Sequence, residues 1–172
     1  MAEAAWEAWI QGLNPVSPGC IVRNGSYMPA TVKKIVLWRT EVDNKPGALA
    51  NIIEPPAKAG ADLHIVMGYR HPGPEGKATI EVYPIAGKKL MAAAQVAGLS
   101  AAAIPALLVE GDNQPGLGYA IAQAMAGAGV NFAFFVAHVV GGKYSAVAGF
   151  ESENDATKAV PLIKRALAPK RR

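Results

Sequence analysis

DNKPG, residues 43–47, has a near copy in DNQPG, residues 112–116. Asp and Asn initiate turns, Pro is favoured in the first turn of a helix, and Gly allows backbone angles that other residues avoid. Each copy follows an apolar run and precedes a segment of helical character, ALANII or LGYAIAQAMAGAG. The chain is therefore predicted to make the same strand-to-helix turn twice.

The similarity between the two halves extends beyond this turn. A shift of 69 residues, which carries position 43 to position 112, aligns identical residues on both sides of it. The identical pairs are Ile35 and Ile104, Glu41 and Glu110, Ile52 and Ile121, Ala57 and Ala126, Ala59 and Ala128, and Gly60 and Gly129. Self-similarity at a fixed period is typical of duplicated modules, so we expect two modules of about 65 to 70 residues.

Apolar periodicity predicts the order βαββαβ in each half. KKIVLWRTEV, residues 33–42, predicts one strand, and the prolines at 55 and 56 predict an interruption of the helix that follows the first turn. LSAAAIPALLVEG predicts the end of one module and the start of the next, with the change at Pro105. NFAFFVAHVV and KYSAVAGFES predict a hairpin, and Pro161 predicts a kink in the last helix or a later start for it.

Two consecutive βαββαβ units, each an antiparallel sheet with two helices on one face, form the ferredoxin-like pattern of the α+β class. We expect an arm with a short docking helix around Trp6 and Trp9, then two modules and a basic tail. The expected boundaries are 1–32 for the arm, 33–103 for the first module, 104–168 for the second module and 169–172 for the tail.

The second face of each sheet is expected to be apolar. Alternation predicts the following residues for that face: His64, Val66 and Gly68 in the first module, and Ala133, Phe135 and Ala137 in the second. An apolar face of this kind needs a cover, so we expect the modules to pair, the chain to dimerise, or both.

Composition and charge limit the classes of function. The net charge of +4 arises from the basic stretch at residues 164–172, which favours a solubilising tail over a nucleic-acid-binding face. The apolar run at 130–140 is shorter than the roughly 20 residues of a membrane span. The N-terminus does not resemble a secretory signal, and a single cysteine, Cys20, cannot form an internal disulfide. We therefore expect a soluble cytoplasmic protein that binds neither nucleic acid nor membrane.

The sequence contains no complete motif for catalysis, metal binding or nucleotide binding. His64, His71 and His138 lack the spacing of metal ligands, and Cys20 has no neighbouring base. GLGYAI lacks the third glycine of a dinucleotide fingerprint, and GPEGK lacks the spacing of a phosphate-binding loop. We expect no enzymatic activity, no cofactor and no metal.

The repeated turn offers a specific chemistry for binding. The first amides of a helix are free donors at the positive end of its dipole, which suits a carboxylate. Asp43 or Asp112 beside these amides could meet an ammonium group, so that the turn matches the zwitterion of a free amino acid. Alternatively, the two carboxylates cap their own helices and bind no ligand. The residues alone leave both interpretations open.

DNKPG and DNQPG, the second followed by a helix and AGVNF, resemble the corresponding segments of ACT domains, which are small βαββαβ modules that bind amino acids. The resemblance spans residues 33–167, and the whole chain is similar to stand-alone tandem ACT proteins without a catalytic domain. In that family, modules pair side by side and effector amino acids bind between them at the loop from strand one to helix one. By motif position, the resemblance implies these ligand-binding residues: Asp43, Asn44, Gly47, Leu49, Asp112, Asn113, Gly116, Leu117 and Asn131.

The resemblance is closer in the second module. Asn131 matches the family's Asn at the start of strand two, whereas the first module has Asp62 there, so we expect Asp112 to bind before Asp43. The resemblance implies a non-catalytic regulator that binds an amino acid, forms a homodimer or higher homo-oligomer, and modulates a metabolic enzyme. Whether the site forms within one chain or between two stays open.

Two other functions remain as alternatives. One is an assembly module that acts as a regulatory subunit without a ligand. The other is a ferredoxin-like RNA-binding protein, which would need stacking rings in a basic third strand. KATIEVY and KYSAVAGF offer only Tyr83 in one strand, and Tyr144 and Phe150 in the other, so RNA binding ranks last.

Overall fold

The computed structural model describes residues 30–71 and 76–168. The predicted docking helix around Trp6 and Trp9 and the basic tail lie outside these residues. The strands are β1 Thr31–Ile35, β2 Trp38–Asp43, β3 Ile65–Arg70, β4 Lys77–Tyr83, β5 Ser100–Ala101, β6 Ala106–Asp112, β7 Phe132–Val140 and β8 Lys143–Phe150. The helices are α1 Ala48–Lys58, α2 Lys88–Val96, α3 Leu117–Gly127 and α4 Glu153–Ala166.

The strands form two antiparallel sheets, each with helices on one face. The first sheet has the order β3-β4-β2-β5 and the second the order β1-β6-β8-β7. Ile52 of α1 and Ala94 of α2 pack against the first sheet, and Ile121 of α3 and Ile163 of α4 pack against the second. The predicted α+β class with two ferredoxin-like units is confirmed.

The strand predicted over residues 33–42 is two strands, and they belong to different sheets. β1 pairs with β6, with Ile35 opposite Ala106, whereas β2 pairs with β4 of the first sheet. The prediction of a single strand is therefore wrong, and residues 33–35 lie in the second sheet instead of beginning the first module. Residues 35–38, IVLW, form a continuous apolar run, so the sequence carries no mark of the change.

β1 supplies the fourth strand of the second sheet. The second unit contains only three strands of its own, β6, β7 and β8, before α4. β1 covers the open edge of β6, whose residues are almost all buried. The first unit is thus inserted between β1 and the rest of the second unit.

Both proline-containing helices continue where the sequence predicts a break. α1 includes Pro55 and Pro56 in its last turns, and α4 includes Pro161. A proline removes one amide donor, but its carbonyl still accepts, and here Ala59 N–H donates to Pro55 O at 3.1 Å. Ala159 and Ile163 are fully buried on either side of Pro161, so tertiary packing holds both halves of α4 in place.

The two sheets pack against each other through the faces opposite to the helices. The buried residues of this intersheet core are Ile35, Leu37, Ala106, Leu108 and Val147, with Ile65, Met67, Tyr83, Ala102 and Phe134 partly buried against them. The expected pairing of modules is therefore present within the chain. The modules meet face to face, and the edge strands of the two sheets do not pair with each other in the described residues.

The faces of β3 and β7 are the reverse of those predicted. Gly68 lies on the helix side, where a Cβ would be 3.8 Å from Leu49 Cδ1, and Phe135 packs in the helix-side core of the second unit. Met67 and Phe134 make the intersheet contact instead. Both faces of each sheet are covered, so a period of two cannot identify the helix side.

We predict that Gly111→Ala destabilises the fold by displacing the chain that enters β1. A Cβ on Gly111 would lie 2.9 Å from Ala30 Cα, and a backbone atom at that distance must move. The expected loss is about 1 to 3 kcal/mol in the free energy of unfolding, measured by urea denaturation.

Gly118→Ala is the matched control, because a Cβ there meets nothing within 4 Å. Alanine within a helix should keep the stability or raise it by about 0.5 to 1 kcal/mol. Equal effects of the two substitutions would contradict the close docking of β1.

Candidate functional site

The two DNxPG loops have the same backbone geometry. Gly47 and Gly116 are the N-cap residues of α1 and α3, each with φ of 87°, so the N-cap positions carry no side chain. Asp43 does not cap α1, because its carboxylate accepts hydrogen bonds from Lys45 and Lys77 instead. Left-handed backbone of this kind is accessible to glycine without a steric penalty, which explains the repeated Gly.

The first amides of α1 are oriented for an external acceptor. Ala48 N–H donates to Lys45 O at 3.1 Å, and Asn51 N–H donates to Gly47 O at 3.0 Å. Between them, the amides of Leu49 and Ala50 have no acceptor within the helix. α3 begins in the same way, with Ala120 N–H donating to Gly116 O at 2.9 Å, so both loops present amides of the same kind.

Each aspartate pairs with a lysine directly opposite it in the sheet. Lys77 Nζ donates to Asp43 Oδ1 at 2.9 Å, and Lys45 Nζ donates to Asp43 Oδ2 at 3.1 Å. Lys143 pairs with Asp112 in the same way. These ion pairs join the loop to the hairpin strand that returns beside it, so both aspartates hold the loop in position.

The two lysines were not predicted as part of the site. Lys77 lies opposite Asp43 and Lys143 lies opposite Asp112 in the antiparallel registers. The sequence does contain a pattern that could have identified them, because a lysine begins both KATIEVY and KYSAVAGF. This match is found only when the hairpin strands of the two units are aligned with each other.

The first loop opens onto a cavity of about 210 Å³ between the start of α1 and strands β3 and β4. Three of the predicted residues, Asn44, Gly47 and Leu49, line it, whereas Asp43 lies outside its walls. Lys45 and Arg70 contribute the cationic side chains of the lining. We call this the first-loop cavity; it combines helix amides, two cations and apolar walls.

The corresponding space in the second unit is filled by Tyr144. Ala78 follows Lys77 and lines the first-loop cavity, and Tyr144 follows Lys143 at the equivalent register position. Tyr144 is only 6% exposed, its hydroxyl has no hydrogen-bond partner among the described residues, and burial raises the pKa of that hydroxyl. Opposite it stands Val139, where the first unit has Arg70 opposite Ala78. The second unit thus lacks both the space and the cation.

The second loop borders a different and wider groove. This groove of about 700 Å³ is lined by Gly116 and Leu117 on one side and by the end of α4, including Leu167, on the other. Asp112 and Asn113 do not line it. Asn131 is exposed immediately before β7 and lines neither the groove nor the first-loop cavity. Of the predicted residues of the second unit, only Gly116 and Leu117 therefore line this groove.

Two features were sought in the part of the chain that the structure describes, a cluster of metal ligands and a membrane-spanning helix. No group of three or more His, Cys, Asp or Glu side chains is arranged there to hold a metal ion. No helix within residues 30–71 and 76–168 is long and apolar enough to cross a bilayer.

Comparison with solved structures identifies chains of similar fold. A protein from Bacteroides thetaiotaomicron has a TM-score of 0.60 at 15% identity, over 77% of this chain and 89% of that chain. The regulatory subunit of aspartate kinase from Thermus thermophilus has a TM-score of 0.55 at 13% identity, over 84% of this chain and 100% of that one. Aspartate kinase from Clostridium acetobutylicum has a TM-score of 0.52 at 14% identity, over 84% of this chain and 35% of that one.

No protein-family model matches the chain, and no curated protein matches it by sequence. The structural similarity therefore establishes the fold. The chain has the tandem ACT-type fold of the regulatory domains of aspartate kinase.

We predict that Asp43 titrates below its ordinary pKa of 3.8, chiefly because of the hydrogen bond from Lys77 and secondarily because of Lys45. Carbon-13 NMR of the carboxyl group measures this pKa directly. A lowered folded-state pKa means that the pair stabilises the protein above the unfolded pKa and that this stabilisation is lost as the pH falls through the folded value.

Lys77→Met should raise the pKa of Asp43 more than Lys45→Met, which is the matched control. If the Lys45 variant has the larger effect, the cross-strand pair is not the main anchor of the loop.

Proposed function

We propose that the protein is a non-catalytic regulator that binds a small ligand, a free amino acid, at the loop between strand one and helix one and modulates a partner enzyme. The first-loop cavity is the observation that carries this proposal. It combines amide donors at a helix start, cationic side chains and a volume of about 210 Å³. This volume lies below the range of about 300 to 1,000 Å³ that is typical of drug-sized ligands, so it suits a small metabolite.

The chemistry of the cavity favours a carboxylate. The amide of Leu49 lies at the positive end of the α1 dipole, and Arg70 in the cavity lining adds positive charge. Lys45 also lines the cavity, but its ammonium is paired with Asp43. The side-chain amide of Asn44 offers an oxygen for an ammonium group. Because Asp43 is paired with two lysines, we assign it the positioning of the loop in preference to direct contact with the ligand.

We propose the first loop as the binding loop, contrary to the expectation from the sequence that Asp112 binds before Asp43. The turn is equivalent in both units, but Ala78 leaves space beside the first loop and Tyr144 occupies the equivalent space beside the second. Arg70 lines the first-loop cavity, whereas Val139 occupies its place in the second unit.

We propose that a second subunit completes the site. The first-loop cavity borders β3, which is an edge strand, and the apolar side chains of Leu49 and Val66 beside it are 42% and 43% exposed. Because the modules within the chain meet face to face, the side-by-side pairing implied by the resemblance requires another chain. A homodimer that pairs through this edge would cover the open side of the cavity. The regulatory subunit from Thermus thermophilus belongs to a metabolic kinase, which supports an enzyme as the regulated partner.

A ligand-independent assembly module is the second candidate. β7 is also an edge strand, and Val139 and Val140 on it are 50% and 69% exposed. An apolar edge of this kind favours pairing with another chain. The RNA-binding alternative is disfavoured, because the sheet face that stacks bases in RNA-recognition domains packs here in the intersheet core.

We predict that one of the twenty amino acids raises the melting temperature of the wild-type protein and that Ala78→Tyr abolishes the shift. The tyrosine ring should fill the first-loop cavity as Tyr144 fills the equivalent space. A ligand at about 100 times its Kd adds roughly 2.7 kcal/mol of stability, which a thermal-shift panel detects.

Ala137→Tyr is the matched control, since it places the same ring on the edge strand of the second unit and should leave binding unchanged. If no amino acid shifts the wild-type protein, the proposed ligand class is wrong. If an amino acid binds the wild-type protein and Ala78→Tyr equally, the proposed ligand class is correct but the assignment of the site to the first loop is wrong.

A further inference from the structure

A carboxylate is buried on the face of the first sheet that turns toward the second sheet. Glu81 is 0% exposed, and neither of its carboxylate oxygens has a hydrogen-bond partner among the described residues. The nearest cation is Arg39, whose Nη1 lies 4.0 Å from Glu81 Oε1. A buried carboxylate without hydrogen bonds is unfavourable in its ionised form.

The fold does not require an acid at this position. Arg39 stands opposite Glu81 in the first sheet, and Leu108 stands opposite Val147 at the equivalent register positions of the second. Leu108 and Val147 are buried in the intersheet core. An apolar pair therefore occupies in one unit the positions that Arg39 and Glu81 occupy in the other, so packing does not require an acid here.

Few charged or titratable groups of the first sheet influence the pKa of the Glu81 carboxyl. Burial raises the pKa of Glu81, while the Arg39 guanidinium from β2 lowers it, as does the Tyr69 hydroxyl from β3, which approaches the carboxyl without forming a well-aligned hydrogen bond. The other polar groups on this face interact among themselves: Arg39 Nη2 donates to Thr79 Oγ1 at 3.2 Å, and His71 Nδ1 lies 3.7 Å from Glu41 Oε2.

The second sheet presents apolar side chains to this region. Met67 stands opposite Glu81 in the first sheet and packs in the intersheet core with residues of β1, β6 and β8. Alternation places three charged or titratable residues on the facing surface of the second sheet: Lys33 opposite Leu108, and Glu110 and His138 on either side of Ser145. Lys33 and Glu110 lie 4.0 Å apart and pair with each other.

We propose that Glu81 is a proton-binding switch on the packing of the two sheets. The neutral carboxyl is compatible with the closed intersheet core, and the ionised carboxylate favours separation of the sheets at Met67, which admits water. Thr79, two residues before Glu81 on β4, and Tyr69, opposite Thr79 on β3, border the first-loop cavity. The switch therefore lies next to the loop without depending on its ligand.

The direction of the pH dependence follows from linkage. A carboxyl whose folded-state pKa is raised above its ordinary value of 4.5 binds its proton more tightly in the folded state. Its contribution to stability is fully present below the unfolded pKa and is lost as the pH rises through the folded pKa. Wild-type stability should therefore decline over the interval from 4.5 up to that raised value.

The test combines carbon-13 NMR of the glutamate carboxyls with urea unfolding over a range from about pH 4 to pH 8. The Glu81 resonance should titrate above 4.5, and the methyl resonance of Met67 should shift with the same midpoint. Glu81→Gln should lack both the decline in stability and the Met67 shift. Glu110→Gln is the matched control, because Glu110 is partly exposed on the facing sheet, and it should keep the wild-type profile.

If the Gln variant does not fold, Glu81→Val replaces it, because valine occupies the equivalent position in the second sheet. A Glu81 pKa at or below 4.5, or a Met67 resonance that stays constant through the titration, overturns the proposal. So does a folded Glu81 variant with the wild-type dependence of stability on pH.

Discussion

The passage of the chain from β1 into β2 is the constraint on which the rest of the structure depends. Ile35 and Leu37 are buried in the intersheet core, and the strands on either side of them belong to different sheets. The second unit therefore depends on a strand that precedes the first unit, and the core between the sheets is covered only when both units are present. This connection fixes the two sheets face to face, and it leaves β3 and β7 as free edges beside the two loops.

The repeated turn made most of the fold predictable. DNKPG and DNQPG identify both strand-to-helix connections, and the helix and strand patterns around them predict the order of the elements. The crossing at Val36 and Leu37 was not predictable, because residues 35–38 form a continuous apolar run that shows no break where the chain changes sheets. The faces of β3 and β7 were not predictable either, since both sides of each sheet are covered. The continuity of the last helix at Pro161 was not predictable either. Buried contacts on both sides of this proline outweigh its tendency to break or kink a helix.

The candidate site was only partly predictable for a related reason. A shift of 69 residues aligns the two turns, but the hairpin strands β4 and β8 align only when Lys77 is matched with Lys143. The connection before β4 is longer than the Gly-Gly turn before β8, so one constant shift cannot align both features. With the constant shift of 69 residues, Ala78 and Tyr144 are not aligned, so the difference between them at equivalent positions is not apparent. The motif thus predicts where a loop forms, while residues on a different strand decide whether a ligand has space beside it.

The left-handed glycine and the aspartate-lysine pair are present in both loops, so they belong to the architecture of the turn and do not by themselves indicate a ligand. The measurement that tests the binding assignment most directly is the mapping of amide chemical shifts in the isotope-labelled protein during titration with the amino acid that binds. Binding at the first loop predicts shifts concentrated at Leu49, Gly68 and Arg70, with saturation at one ligand per chain. Shifts concentrated at Gly116 and Leu117 would contradict it.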